Sequence, residues 1–457
     1  MKYYTGNNTG DVPGNIPSPY FWWEAGALFG TMIDYWFLTK DESYTDVISQ
    51  AMLHQTGDDR DYMPANQTQS EGNDDQGFWA MAAMSAAENR FPDPPEDQPQ
   101  WLALAQAVFN EYTSRWDTAT CKGGLRWQIF TFNNGYDYKN SIANGCFFNI
   151  AARLARFTGN QTYADWAERV FKWEQDIGLI TADYRVYDGV GVEESGASCT
   201  RRDTIQWTYN AGIYLHGAAM MYNITTGPAQ DTWRRRLDGI LAETKAAFFN
   251  GSVMVEQACE PADLCDTDQV SFKGYLARWM ASATQVAPYM FDTAMPLLRG
   301  TAEAAAAACS GSPAASEFAG LPGTACGFRW TTGGFDGRAG VGEQMSGLSA
   351  VMYTLVKRPE SAAAGGGGGG GGGDSGSGSG SGSDGGGGVT GGGGSTAPVT
   401  AHTGGTSKGD PEAGTAGAKE EGMVVLAPIT TGERVAAGFL TSAIALGVVG
   451  GGVFMVK

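Results

Sequence analysis

At 457 residues the chain is long enough for one large domain or two ordinary ones. A formal charge of −19, with no basic block anywhere, argues against nucleic acid as a partner, because phosphate binding needs clustered Lys and Arg. Only three histidines are present, none near another His or a Cys, which argues against a zinc site or a Ser-His-Asp triad; the sequence calls for no cofactor.

The opening stretch, "YYTGNNTGDVPG", reads as loop rather than as a signal peptide. From residue 20 to 357 one theme repeats: a polar-aromatic loop, a small-residue apolar helix, a short turn, then an amphipathic helix. The small-residue helices are predicted to begin near Trp22, Asp75, Ser141, Tyr209, Phe272 and Gln344, with runs such as "AGALFGTMIDYWF" and "FWAMAAMSAAE" that suit close packing. Their partners are predicted at about 41–55, 98–113, 161–176, 230–248 and 292–308, with charges at helical spacing as in "YADWAERVFKWEQD". The expectation is an all-α fold, an (α/α)6 toroid over residues 1–358, whose first outer helix would precede residue 1. No region is rich enough in strands to build a sheet core.

Seven cysteines and five N-glycosylation sequons, at Asn7, Asn66, Asn160, Asn223 and Asn250, favour the secretory pathway. Cys259 and Cys265 flank one short loop and Cys309 and Cys326 another, and both pairs read as local disulfides. Of the remaining Cys121, Cys146 and Cys199, Cys146 lies in a helical pattern and reads as a buried thiol. Residues 359–434, nearly all Gly and Ser between 365 and 394, read as a flexible tether. The apolar run 435–457 is long enough to span a bilayer or to serve as a GPI-attachment signal. The absence of a cytoplasmic tail favours GPI, with cleavage between Gly414 and Gly422. Either reading puts the domain outside the cell.

In a closed helical ring the loops entering the inner helices gather at one end as a pit. There the sequence places "YFWWEAG", "EGNDDQGFW", "GGLRWQIFTFNNGYDYKNS", "YDG" and "QWTYNAG", the Trp, Tyr, Asn, Asp and Arg supply of a sugar-binding cleft. By position, Trp22, Trp23, Glu24, Asn73, Arg126 and Trp127 are candidate lining residues. The adjacent Asp74 and Asp75 admit two readings. One is helix capping, in which an Asp accepts a backbone N–H and the other faces the macrodipole. The other is glycosidic cleavage by two carboxylates, for which residues i and i+1 reach the separation of about 5–5.5 Å used by retaining enzymes more easily than the ~6.5–9.5 Å of inverting ones. Like charge and burial are expected to raise the pKa of one, while the helix terminus keeps the other ionised. No second acidic cluster at ligand spacing supports a metal site.

The segments "SPYFWWEAGALFGTMIDYW", "SEGNDDQGFWAMAAMSAAE", "GGLRWQIFTFNNGYDYKNSIANGCFFNIAARLAR" and "IQWTYNAGIYLHGAAMMY" resemble glycoside hydrolase family 76, in particular its fungal GPI-anchored mannan endo-1,6-α-mannosidase branch. The resemblance spans residues 3 to 357. It implies an (α/α)6 barrel, a retaining mechanism and α-1,6-linked mannose as substrate, in mannan or a GPI-glycan. On this chain Asp74 resembles the nucleophile, Asp75 the acid/base, and Thr208, Tyr209, Asn210 and Asp188 sugar-binding positions. It also implies a lipid-anchored place at the cell surface or wall, and transfer to a β-glucan acceptor as an alternative to hydrolysis. A non-catalytic mannan-binding wall protein is the reading from another class.

Overall fold

Small side chains set how closely the inner helices can approach. In the computed structural model, a Cβ on Gly77 would sit 2.6 Å from Cys146, and one on Gly212 would sit 3.0 Å from the Leu276 backbone. Any larger residue would therefore push neighbouring inner helices apart. The structure describes residues 1–67, 70–192, 199–318, 320–359 and 407–415, all within the unit Met1–Thr415.

Six inner helices form the ring: α1 (Trp22–Thr39), α3 (Asn73–Asn89), α5 (Ser141–Thr158), α7 (Thr208–Ile224), α9 (Phe272–Val286) and α11 (Val341–Met352). Each packs on the next and α11 packs back on α1, which closes it. Outside lie α2 (Thr45–His54), α4 (Trp101–Arg115), α6 (Gln161–Ile177), α8 (Gly227–Phe248) and α10 (Phe291–Ala308). This is the expected (α/α)6 order, with six inner and five outer α-helices among the described residues.

Inner and outer helices run in opposite directions, as the α3–α4 pair makes plain. Arg115 at the end of α4 donates to Gln76 in the first turn of α3 at 2.6 Å, while Trp101 at the start of α4 packs on Phe91 just beyond α3. Away from the helix starts, ion pairs cross the ring. Arg278 of α9 meets Asp34 of α1 at 2.8 Å, and Arg153 of α5 meets Glu88 of α3 at 2.7 Å. The Ser85 hydroxyl accepts from both arginines, at 2.8 and 2.9 Å. Such charges are tolerated in an interior because each is paired and hydrogen-bonded.

Strands are few and short. β1 (Tyr138–Asn140), β2 (Gly189–Gly191) and β3 (Arg202–Asp203) form an antiparallel sheet with Lys139 opposite Val190, and β4 (Phe249–Asn250) and β5 (Val253–Met254) form a hairpin. The first sheet brings residues 138–140 and 188 together at the pit end. Three disulfides are present: Cys259–Cys265 and Cys309–Cys326 as expected, and Cys121–Cys199, whose pairing the sequence left open. Cys146 is a free, buried thiol.

Two expectations need correction. Residues 407–415, assigned to the tether, lie along α4, where Leu102 donates its backbone N–H to the Ser407 hydroxyl at 3.0 Å. Among the sequons, Asn7, Asn66, Asn160 and Asn250 are exposed, but Asn223 is half-buried: its amide nitrogen donates to the Val286 carbonyl, and its oxygen accepts from Arg156, both at 2.9 Å. The apolar run 435–457 lies outside the described residues. No helix among the described residues is long and apolar enough to cross a membrane.

Candidate active site

The inner-helix starts surround a cavity of about 200 Å³. Its lining comprises Trp23, Asp74, Asp75, Phe78, Trp127, Tyr138, Asn140, Ile142, Asp188, Tyr209, Asp268 and Phe272. Four carboxylates and no Lys or Arg are in that set. Aromatic packing stiffens the walls. Tyr209 stacks on Phe272 with ring centres 3.8 Å apart, and Trp23 packs on Phe78 at 4.7 Å.

Asp74 and Asp75 occupy the first turn of α3, so each carries a helix-start task as well as a place in the cavity. Asp75 Oδ2 reaches back to accept the Gly72 N–H at 2.7 Å, and Asp74 Oδ1 accepts the Asp75 N–H at 3.0 Å. Asp74 Oδ2 takes a further bond from Asn140 at 3.2 Å. Capping and chemistry therefore do not compete here: capping fixes the rotamers that bring both carboxyls to one cavity. Asp75 Oδ2 lies 3.3 Å from the point a Cβ on Gly72 would occupy, and Asp74 Oδ1 lies closer still. Those two oxygens are therefore no more than 6.6 Å apart, twice that distance.

Both carboxyls are raised, where the helix terminus was expected to keep one of them ionised. Burial, then the charge of Asp74, hold the Asp75 carboxyl well above the usual range. Burial also raises Asp74, to about 7, opposed by the Asn140 hydrogen bond and backbone amides. The helix terminus thus moderates Asp74 without restoring an ordinary carboxylate, because desolvation outweighs it. At this distance the titration belongs to the pair rather than to either residue. Asp268 is raised to about 6 by burial and by Asp266, and Asp188 is raised by burial while accepting the Tyr138 hydroxyl at 2.7 Å.

Of the residues proposed from sequence, Trp23, Asp74, Asp75, Trp127, Asp188 and Tyr209 line the cavity. The others support it. Trp22 donates to Gln55 at 2.8 Å and stacks on Trp79. Glu24, raised to about 8 by burial, accepts the Phe21 N–H at 2.8 Å and closes the first turn of α1. Asn73 is tied to the Arg126 carbonyl at 2.9 Å. Arg126 pairs with Asp117 at 2.9 Å and lies over the Tyr136 ring. Thr208 hydrogen-bonds Glu256 through its N–H and its hydroxyl. Asn210 is fully buried, with no partner for either amide atom among the described residues. Each sits within one turn of the cavity in sequence, but an inner helix turns only part of its first turn towards the axis.

Six lining residues escaped the sequence reading: Phe78, Tyr138, Asn140, Ile142, Asp268 and Phe272. Asp268 had a legible signal, since "DTDQVSF" puts an acid before an inner helix as "GNDDQGF" does. Tyr138 and Asn140 depend on the β1–β2 pairing, which three-residue strands do not announce.

A glycosyl hydrolase family 76 sequence model matches residues 1–364. The chain belongs to that family. A mannan endo-1,6-α-mannosidase of Saccharomyces cerevisiae, DCW1, is 44% identical over 454 residues, 98% of this chain and 89% of that protein. Its Candida albicans DFG5 counterpart is 41% identical over 367 residues, 79% of this chain and 78% of that protein. The crystal structure of Dfg5 from Chaetomium thermophilum in complex with glucosamine aligns with a TM-score of 0.78 at 44% identity, covering 92% of this chain and 94% of that one. The α-1,6-mannanase GH76A of Salegentibacter sp. HEL1_6, at 18% identity and TM-score 0.57, shares the fold. This family 76 member is a glycoside hydrolase.

Proposed function

We propose that this family 76 enzyme is a retaining endo-α-1,6-mannosidase in which Asp75 protonates the glycosidic oxygen while Asp74 attacks the anomeric carbon. The observation that carries this reading is the pair of carboxyls sharing one cavity, both raised by burial so that the pair can hold the proton the leaving oxygen needs. The bond between sugar and leaving oxygen breaks, an ester to Asp74 forms, and Asp75 is left as carboxylate. Asp75 then takes a proton from the incoming hydroxyl, which attacks the same carbon and releases Asp74. The 6.6 Å bound on the two capping oxygens is compatible with the retaining spacing of about 5–5.5 Å.

The natural substrate is a mannose chain of a GPI-glycan, and the incoming hydroxyl belongs to a wall β-glucan, so that the enzyme moves mannoproteins into the wall. Support comes from the charge of the pit. Those of its four lining aspartates that are ionised suit the ammonium of an unacetylated glucosamine, and a relative 44% identical was crystallised with glucosamine. A lipid anchor near Gly414 to Gly422 would hold the enzyme at the surface where such glycans reside.

Product analysis on α-1,6-mannan and on a GPI-glycan, with and without β-glucan, tests both levels. Retained configuration and a mannan–glucan product are expected, whereas free sugar alone would remove the transfer step. Asp75→Asn is expected to lower turnover by roughly 10²–10⁴-fold, with recovery on substrates whose leaving group needs no proton. Asp74→Asn is expected to abolish turnover on both kinds of substrate. Activity of both variants equal to that of the unsubstituted enzyme would rule out the assignment of the pair.

A further inference from the structure

The inner helices follow one another around the ring in the order α1, α3, α5, α7, α9, α11, so α9 stands directly across from α3. The two ends of that diameter carry different chemistry. At the α3 end are Asp74 and Asp75, with Asn140 bonded to Asp74. At the α9 end Asp268, four residues before Phe272, shares the lining with Phe272, Tyr209 and Trp23. Tyr209 stacks on Phe272, and the Trp23 ring centre lies 6.5 Å from that of Phe272. Aromatic faces beside one carboxylate are a setting in which proteins hold an ammonium group.

Three of the four lining aspartates are already engaged by the protein. Asp75 accepts the Gly72 N–H, Asp74 accepts from Asp75 and Asn140, and Asp188 accepts the Tyr138 hydroxyl. Asp268 differs: its Oδ1 is buried with no hydrogen-bond partner among the described residues. The lining supplies no Lys or Arg to pair with it. Trp23 favours its charged form, and at about 6 it remains mostly ionised at neutral pH. The charged groups acting around it are all acids: Asp266 on its own loop, Glu24 of α1, and Asp74 and Asp75 of α3. Nor can the residue swing away freely, because its carbonyl accepts the Ser271 N–H at 3.0 Å and hydroxyl at 2.6 Å. A half-buried carboxylate in such company carries a desolvation cost that a positively charged ligand offsets. No acidic, His or Cys cluster among the described residues is suited to a metal ion, so the cation that fits is organic.

We propose that Asp268 is the specificity-determining residue of the pit, pairing with the free ammonium of an amino sugar while that sugar's linkage lies at Asp74 and Asp75. The proposal rests on the reading that the Asp74–Asp75 pair cleaves a glycan in this cavity. It assigns one residue to the recognition of the amine and leaves the other three aspartates to the bond and to Tyr138. An N-acetylated sugar offers a neutral amide in place of the ammonium, so it leaves the Asp268 carboxylate unpaired and is disfavoured.

The test titrates the full chain with glucosamine and with N-acetylglucosamine at neutral pH, by calorimetry. Glucosamine is expected to bind roughly tenfold or more tightly than its acetylated form, the worth of one hydrogen bond to a charged group. Asp268→Asn keeps the side-chain shape and is expected to erase that preference by weakening glucosamine alone. Asp268→Ser carries the same expectation, should the amide variant not fold. Asp266→Asn removes a neighbouring exposed charge outside the cavity lining and is expected to keep the preference. No preference in the unsubstituted chain, a preference that survives at position 268, or an equal loss in Asp266→Asn overturns the assignment. Turnover is read separately, as kcat/KM on an amine-bearing mannosyl glycan relative to the same glycan after N-acetylation; the ratio is expected to fall towards one in Asp268→Asn. Absence of turnover in every chain, with the binding preference intact, would refute the enzymatic reading and leave the recognition standing. Turnover that ignores the amine would do the reverse.

Discussion

Gly72→Ala isolates what the catalytic pair requires of its surroundings. Gly72 has φ −93° and ψ 160°, a backbone conformation that alanine adopts without strain. Loss of the glycine alone would stabilise the chain by about 0.4–1 kcal/mol through the unfolded state. The added methyl, however, would meet Asp74 Oδ1 in hard contact, the Trp127 carbonyl at 3.1 Å and Asp75 Oδ2 at 3.3 Å. Both carboxyls must move, at a cost of about 1–3 kcal/mol for overpacking. The net destabilisation is therefore about 0–2.5 kcal/mol, a modest drop in Tm for a domain of this size. Activity is far more sensitive, since a displacement of about 1 Å at the reacting groups costs on the order of 10²-fold. The assay is initial rate on α-1,6-mannan beside a thermal melt. The expected result is kcat down about 100-fold with KM little changed. Gly159→Ala serves as the contrast: at φ +72° with nothing within 4 Å, it is expected to lower Tm and leave kcat alone. Gly72→Ala activity within about threefold of the unsubstituted enzyme would refute the claim that this glycine sets the carboxyl pair.

Three further predictions concern charge and cross-links. Asn140 donates to Asp74 and also caps α5 through Ala143, so Asn140→Ser is expected to keep the cap and lose the bond that favours ionised Asp74; the acid limb of the kcat/KM profile then moves to higher pH, and an unmoved limb would contradict the assignment. Burial raises Asp74 to about 7 and Glu24, Glu174 and Glu256 to about 8 in the folded protein. The native state therefore binds more protons than the unfolded chain between about pH 4 and 8, and stability falls as pH rises through that window; a melt series showing higher Tm at pH 8 than at pH 5 would contradict this. The Cys121–Cys199 bridge closes 78 residues, so Cys121→Ser with Cys199→Ser is expected to lower unfolding free energy by up to about 4.5 kcal/mol, read by denaturant titration.

The alternation of small-residue and amphipathic helices was legible because each inner helix must be apolar on several faces and each outer one on a single stripe, patterns that local sequence carries. The Asp pair was legible too, since adjacency fixes proximity before any folding. By contrast, Trp22, Glu24, Asn73 and Arg126 read as lining from position, and Thr208 and Asn210 from the family resemblance, yet only part of a helix turn faces the axis. Asp188 shows the intermediate case: visible as a candidate, but brought to Tyr138 only by strands too short to recognise.

By itself the sequence determined the helical ring, the acidic and aromatic character of its mouth, and the two local disulfides, because these follow from periodicity and from neighbours along the chain. Tertiary structure alone decided which side chains share the cavity, how far Asp74 and Asp75 are raised, the partner of Cys199 and the docking of residues 407–415. Each of those depends on contacts between residues far apart in sequence, and on desolvation that exists only once the helices close around the pit.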